Sequence, residues 1–178
     1  MTAKECIKGR RSIRAFSQES VSHELIAEVV ETASYAPSWK HTQIVRYIAV
    51  EGELKDQIAA CTSAYARNGE IIAAAPMVMV VTIIKGRSGF ERDGSFSTHR
   101  GEGWQMFDAG VASEAFCLAA YEKGLGTVIM GIFDDDKVAE LLELPEVRDV
   151  IALIPVGYPA ETPTAPRRKP VEEMVTFK

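Results

Sequence analysis

Met77-Val78-Met79-Val80-Val81-Thr82-Ile83-Ile84 is a continuous, almost wholly apolar run of strand length. A strand with one wet face alternates apolar and polar residues, whereas one covered on both faces carries apolar side chains throughout. The run therefore predicts a central strand with a packed layer on each side, and the rest of the chain must supply those layers. Pro76, immediately before it, closes the preceding segment, because a proline offers no backbone donor and drives its neighbour out of the helical region.

Covering elements lie on both sides in sequence. Ser22 can cap a helix whose apolar residues Leu25, Ile26, Val29, Val30 and Ala33 recur at helical spacing, and Pro37 forbids its continuation. Ile44 to Val50 reads as a strand. Leu54, Ile58, Cys61 and Tyr65 form one helical stripe, followed by a second short helix over Ile71 to Ala75. Trp104 to Lys123 predicts a long helix that is apolar nearly all round. Its small residues Ala109, Gly110, Ala112 and Ala119 suit either a core helix or a subunit interface. Leu125 to Met130 and Val147 to Val156 read as strands, with a short helix between them that Asp134 caps and Val138, Leu141 and Leu142 anchor. Lys85 to Gly103 has no clear period and predicts a long loop of the kind that serves as a lid; over Phe90 to Trp104 the stacking candidates are Phe96 and Trp104, with ordinary core or loop aromatics as the alternative.

At 178 residues and 47% apolar content the chain supports one well-packed core, so residues 1–178 are expected to form one domain. A net charge of -5 argues against general nucleic-acid binding, which needs a broad basic face. Cys6, Cys61 and Cys117 are odd in number and far apart, and they draw neither a disulfide framework nor a metal-ligand pattern. No apolar signal core follows Met1, and no run approaches the roughly 20 apolar residues of a membrane span. These features lead to the expectation of a soluble, cytoplasmic protein with no membrane partner.

Against that acidic background Arg10-Arg11-Ser12-Ile13-Arg14 sets three permanent cations and a hydroxyl in five residues. Guanidinium groups make forked hydrogen bonds to phosphate oxygens and cannot be titrated off, so the cluster suits a phosphoester. A solvated basic helix end is the alternative. A second cluster, Arg167-Arg168-Lys169, stands near the C-terminus after the proline-spaced segment Pro159 to Pro166. That segment carries Val171, Met174, Val175 and Phe177 beyond it, apolar groups that a frayed tail would leave in water.

Taken with Ala36-Pro37-Ser38-Trp39-Lys40-His41-Thr42-Gln43 and Gly124-Leu125-Gly126-Thr127, the order of these motifs resembles the FMN-dependent nitroreductase family over nearly the whole chain. The resemblance implies an α+β fold with a central mixed, mostly antiparallel sheet flanked by helices. It further implies a homodimer with FMN at the subunit interface and a C-terminal arm, about residues 158–178, packed on the partner. Arg10 and Ser12 match the family's phosphate and ribityl contacts, with cofactor-binding Arg11 beside them, and Arg167 and Lys169 match the basic pair of the C-terminal segment. Arg14 matches a cation near the pyrimidine edge of the flavin, where a fixed positive charge favours the reduced, anionic state. Pro37, Ser38, Trp39 and His41 fall on the segment through which the second subunit contacts the flavin. The commonest family residue at His41 is asparagine, and Ile44-Val45 replaces a frequent proline-tryptophan pair. A buried structural histidine is the other reading of His41. Asn68 resembles the asparagine that reads the flavin's uracil-like edge. A basic residue often found shortly after it is absent, with Glu70 nearby, which leaves the charge work to Arg14. Ile129, Met130 and Gly131 match the strand under the ring, with Ile129 in place of a tryptophan that many relatives carry.

The implied activity is ping-pong electron transfer. NADH or NADPH delivers hydride to flavin N5 and leaves, and an electron-poor small molecule such as a nitroaromatic or quinone takes its place. No triad of serine, histidine and acid, no P-loop and no Rossmann glycine fingerprint is present, so no side chain is assigned a catalytic role and no metal is expected. Two rivals stand beside this reading: an FMN-binding redox sensor or carrier without turnover, and a binder of another phosphorylated metabolite.

Overall fold

In the computed structural model, which describes all 178 residues, the Met77–Ile84 run is β2 and lies inside a four-stranded sheet. On one side it pairs antiparallel with β1 (Val45–Val50). On the other it pairs antiparallel with β4 (Arg148–Gly157), which also carries the two-residue β3 (Gly126–Thr127). Successive β2 side chains enter opposite layers, as the two-residue period of a strand requires. Val78 and Val80 join one buried cluster, with Ile58, Ile72, Val138 and Leu153; Met77, Met79 and Val81 join the other, with Val29, Phe116 and Ile154.

The first layer is built by α3 (Gly52–Ala60), α4 (Ala66–Ala74) and α6 (Asp135–Leu141). The second is built by α2 (His23–Ala33) and the 20-residue α5 (Gly103–Glu122), which bury Val29 and Phe116 completely. The fold is therefore the expected α+β arrangement. The one parallel pairing is an isolated bridge between Ser12 and Thr127; every ladder in the sheet is antiparallel.

Two local expectations change, and one element is added. The single stripe from Leu54 to Tyr65 breaks at Cys61–Thr62, where the Thr62 hydroxyl donates to Ala59 O at 2.7 Å and ends the helix. The strand expected over Leu125 to Met130 keeps only Gly126–Thr127. Val128 and Ile129 leave the ladder and Met130 rejoins β4 through reciprocal bonds to Leu153 at 2.9 and 3.0 Å, which leaves Ile129 46% exposed. The helix α1 (Ala3–Gly9) buries no residue and thus carries no apolar stripe; a capping box between Thr2 and Glu5 starts it.

The N-terminal segment after α1 is laced onto the sheet's β3 edge. Ile13 N donates to Thr127 O at 2.9 Å, Ser17 N to Tyr158 O at 2.9 Å, and Ala160 N to Ala15 O at 2.9 Å. Gly124, at φ +81, turns the chain out of α5, and Leu125 N donates back to Ala120 O at 2.9 Å. Gly126 then lets Ile13 lie directly on the strand, since a β-carbon there would meet Ile13 Cγ1 at 2.7 Å. These contacts carry Arg10 to Arg14 to the same end of the sheet as Met130.

Candidate functional site

Arg11 folds back on α1, its guanidinium donating to Lys8 O at 2.7 Å, Arg10 O at 2.8 Å and Gly9 O at 3.2 Å, which caps the helix end. Arg10 reaches α5 and pairs with Glu114 at 3.3 Å. Between them opens a cleft of about 400 Å³ lined by Arg10, Arg11, Ser12 and Arg14 on one side. Pro163, Thr164, Pro166 and Arg168 of the C-terminal segment line the other, and no carboxylate lines it. The segment is held there by the Glu161 carboxylate, which accepts from the backbone amides of Arg14 and Ala15.

Arg168, not Arg167 or Lys169, faces this cleft within one chain. Lys169 approaches Glu173 at 3.8 Å, and Arg167 is exposed. In extended backbone alternate residues point the same way, so 167 and 169 lie opposite 168. The arm's root from Tyr158 to Glu161 is bonded to its own chain, whereas Val171, Met174 and Phe177 are 65%, 72% and 90% exposed.

Arg14 also lines a second cleft, of about 230 Å³. Its walls are Asn68 and Ile71 of α4 and the Val128–Ile132 segment, so Ile129, Met130 and Gly131 share it with Asn68. The Asn68 side chain is 8% exposed and its Nδ2 donates to Ile132 O at 3.3 Å, which fixes the amide at the cleft wall. A β-carbon on Gly131 would meet nothing within 4 Å, so no packing within the chain demands a glycine there. Tyr65 and Arg67 complete the lining. Sequence reasoning missed Arg67 because a cation was sought after Asn68; α4 begins at Ala66 and its first turn brings the residue before Asn68 to the same cleft.

Pro37, Ser38, Trp39 and His41 lie elsewhere. Trp39 to His41 form a 3-10 turn whose Trp39 N donates to both carboxylate oxygens of Asp108 at 3.1 Å, while Gln43 N donates to Ser38 Oγ at 2.9 Å. Lys40, His41 and Gln43 all adopt left-handed backbone, at φ 45, 58 and 47. Non-glycine residues rarely sit there, and three in one short turn store strain of the kind found at binding segments. His41 is exposed and contacts Gln43, so it is not a buried structural histidine. Trp39 packs on Trp104 at 4.5 Å, and Lys40 pairs with Glu91 of the Lys85–Gly103 loop at 2.7 Å. Pro37 and Ser38 line an apolar groove of about 620 Å³ between α2, β1 and α5 that shares no residue with the other two clefts.

No group of three or more His, Cys, Asp or Glu side chains is arranged to hold a metal ion. Burial pushes the Cys117 thiol up to about 11 and raises Cys61 and Cys6 as well, so none is an activated thiolate. No helix is long and apolar enough to cross a membrane.

A cationic cleft is thus joined through Arg14 to a smaller one of mixed lining. The family model for the nitroreductase family matches residues 7–158, a span that contains both α4 and the Val128–Ile132 segment. The chain belongs to the nitroreductase family. It is 30% identical over 168 residues to a candidate NADH dehydrogenase/NAD(P)H nitroreductase of Methanothermobacter thermautotrophicus, covering 92% of this chain and 80% of the relative. A nitroreductase family protein from Clostridium novyi NT superposes with a TM-score of 0.79 at 30% identity, covering 93% of this chain and 89% of that one. A candidate nitroreductase from Desulfovibrio desulfuricans, solved in complex with FMN, superposes with a TM-score of 0.78 at 27% identity, over 98% of this chain and 95% of that one. The nitroreductase match ends at residue 158, where the C-terminal arm begins.

Proposed function

We propose that this protein is an FMN-dependent oxidoreductase that works as a homodimer. The observation that carries the reading is the pair of clefts joined at Arg14. The first is lined by four arginines, of which Arg11 caps α1 and Arg10 also pairs with Glu114, together with two hydroxyls and no carboxylate, a set that fits a phosphate dianion. The second offers an apolar floor, one fixed amide and an unfilled space over Gly131, which fits the flat ring of the same molecule.

FMN, when bound, supplies the redox chemistry, accepting hydride from NADH or NADPH and passing two electrons to an electron-poor acceptor such as a nitroaromatic or quinone in a ping-pong cycle. The chain's residues bind and tune. Arg10, Ser12 and Arg168 grip the phosphate, and Arg11 stiffens the turn that presents them. Arg14, shared by both clefts, sets a fixed positive charge beside the ring, which stabilises a negative charge developing there and raises the reduction potential. The Asn68 amide would hold the ring's polar edge, and Met130 and Gly131 would lie against the ring. No side chain acts as acid or base.

Three observations support two copies. Pro37, Ser38, Trp39 and His41 line neither cleft of their own chain, so a partner would have to bring them to a shared site. On α5, Met106 and Phe107 are 47% and 61% exposed, next to Gly110, which no packing within the chain requires. Beyond Arg168 the arm presents Val171, Met174 and Phe177 to water, and a partner would cover them. On this reading Arg167 and Lys169 complete the phosphate grip across the interface.

The visible spectrum of the purified protein, recorded without oxygen before and after addition of NADH or NADPH, tests the proposal. Flavin bands that bleach with either donor are expected. A protein that takes up no FMN sinks the reading, and bands that persist with both donors turn it towards a sensor or carrier.

A further inference from the structure

Arg67 is an exposed guanidinium at the rim of the ring cleft, and no group of the chain pairs with it. It lies in the first turn of α4, where the positive end of the helix dipole repels a cation. That turn holds no acidic residue, and the N-cap Tyr65 makes no side-chain hydrogen bond to the free amides. Arg67 forms no ion pair and no hydrogen bond; Glu70, one turn further on, does not pair with it. Across the same cleft stands Arg14, also without an ionic partner, because Glu161 binds its backbone amide and not its guanidinium. Two exposed guanidinium groups and an uncapped helix start thus face one small cleft that has no carboxylate in its lining.

On the functional reading above, Arg14 and the neighbouring cationic cleft are engaged by FMN. Arg67 lines only the ring cleft, beside the half-exposed ring of Tyr65 and the exposed Ile129 and Ile132. We propose that Arg67 is a specificity-determining residue, selecting co-substrates that carry an anionic group beside a planar ring. Tyr65 supplies a flat apolar surface for the ring, and Arg67 supplies a forked donor for a carboxylate, sulfonate, phenolate or phosphate. The anion has two sources, an acidic aromatic acceptor or the pyrophosphate of the nicotinamide donor, and both offer the chemistry that this site lacks.

The test uses matched pairs on the FMN-loaded protein. For the acceptor, 4-nitrobenzoate is compared with its neutral methyl ester. For the donor, NADH is compared with 1-benzyl-1,4-dihydronicotinamide, which has no phosphate. Arg67→Ala is expected to lower the charged-to-neutral ratio of kcat/KM about tenfold in at least one pair, the loss of one partly exposed charge-assisted hydrogen bond. Arg67→Lys should restore much of that ratio, and added salt should lower it in the wild type. Binding of 4-nitrobenzoate and its ester to the oxidised protein, followed by perturbation of the flavin spectrum, reads the same preference without turnover. Equal losses for both members of each pair, or ratios that Arg67→Ala leaves as they were, overturn the inference while FMN stays bound. A protein that takes up no FMN overturns the functional reading and this inference together.

Discussion

Ile13 lies on Gly126 so closely that a β-carbon at Gly126 would sit 2.7 Å from Ile13 Cγ1. The contact seats the segment bearing Arg10 to Arg14 on the β3 edge, and the parallel bridge from Ser12 to Thr127 runs beside it. Gly126→Ala is therefore expected to destabilise the fold by about 1–3 kcal/mol through overpacking, and to weaken FMN binding because Ser12 and Arg14 are displaced. Gly131→Ala meets no atom of the chain within 4 Å, so it should weaken FMN binding without a comparable loss of stability. Urea unfolding of the apoprotein and FMN titration of both variants separate the two effects.

Arg168 faces the cationic cleft, and Arg167 does not. Arg168→Ala should weaken FMN binding by about tenfold or more, as expected for a charge-assisted hydrogen bond to phosphate. Arg167→Ala reports on the partner. If it costs as much as Arg168→Ala, the arm also contributes across the dimer; if it costs little, the grip is complete within one chain. Flavin fluorescence titrations at two ionic strengths measure both.

Asp108 is 3% exposed and accepts the Trp39 amide on both carboxylate oxygens. Asp108→Ala leaves that amide unsatisfied and removes the tie holding the strained turn at Lys40 to Gln43. A loss of about 1–3 kcal/mol is expected. A change in near-ultraviolet dichroism of the packed Trp39 and Trp104 should accompany it, and an unaltered spectrum would show that Asp108 does not hold the turn.

His23 pairs with Glu51 at 3.0 Å, linking the start of α2 to the end of β1, and the Glu51 hydrogen bond raises the histidine above its ordinary value of 6.5. A raised histidine contributes stability that is fully present below the unfolded value and is lost as pH climbs through the folded one. The melting temperature should therefore fall slightly as pH rises above 6.5, and His23→Gln should remove that step. A step of equal size in the variant would assign it to another group.

The acid limb has a different origin. Asp134 caps α6, and Lys137, through its side chain and then its backbone amide, holds the carboxyl below the ordinary 3.8. A depressed carboxyl stabilises above its unfolded value, and that contribution is lost as pH falls through the folded one. Asp134→Ala should lower the melting temperature at neutral pH and flatten its decline below 3.8, which thermal melts across that range would reveal.

The chain's layers were legible in its sequence because burial leaves a periodic record. The apolar run at Met77–Ile84 announced a strand covered on both faces, the spacing of Leu25 to Ala33 announced a helix, and Pro76 marked the boundary between α4 and β2. The cationic residue types at Arg10 to Arg14 and near the C-terminus were equally plain, since charge is a property of the residue and needs no fold to read. What the sequence could not state was which side of the backbone each charge takes and which remote segment it meets. Arg168 rather than its neighbours enters the cleft, Arg67 rather than a later residue joins Asn68, and Gly126 receives Ile13. The short β3 likewise depends on Met130 finding Leu153 across the sheet. Periodicity is a local consequence of burial, whereas a binding cleft is made by contacts between distant parts of the chain, and those exist only once tertiary packing has fixed the direction of each side chain.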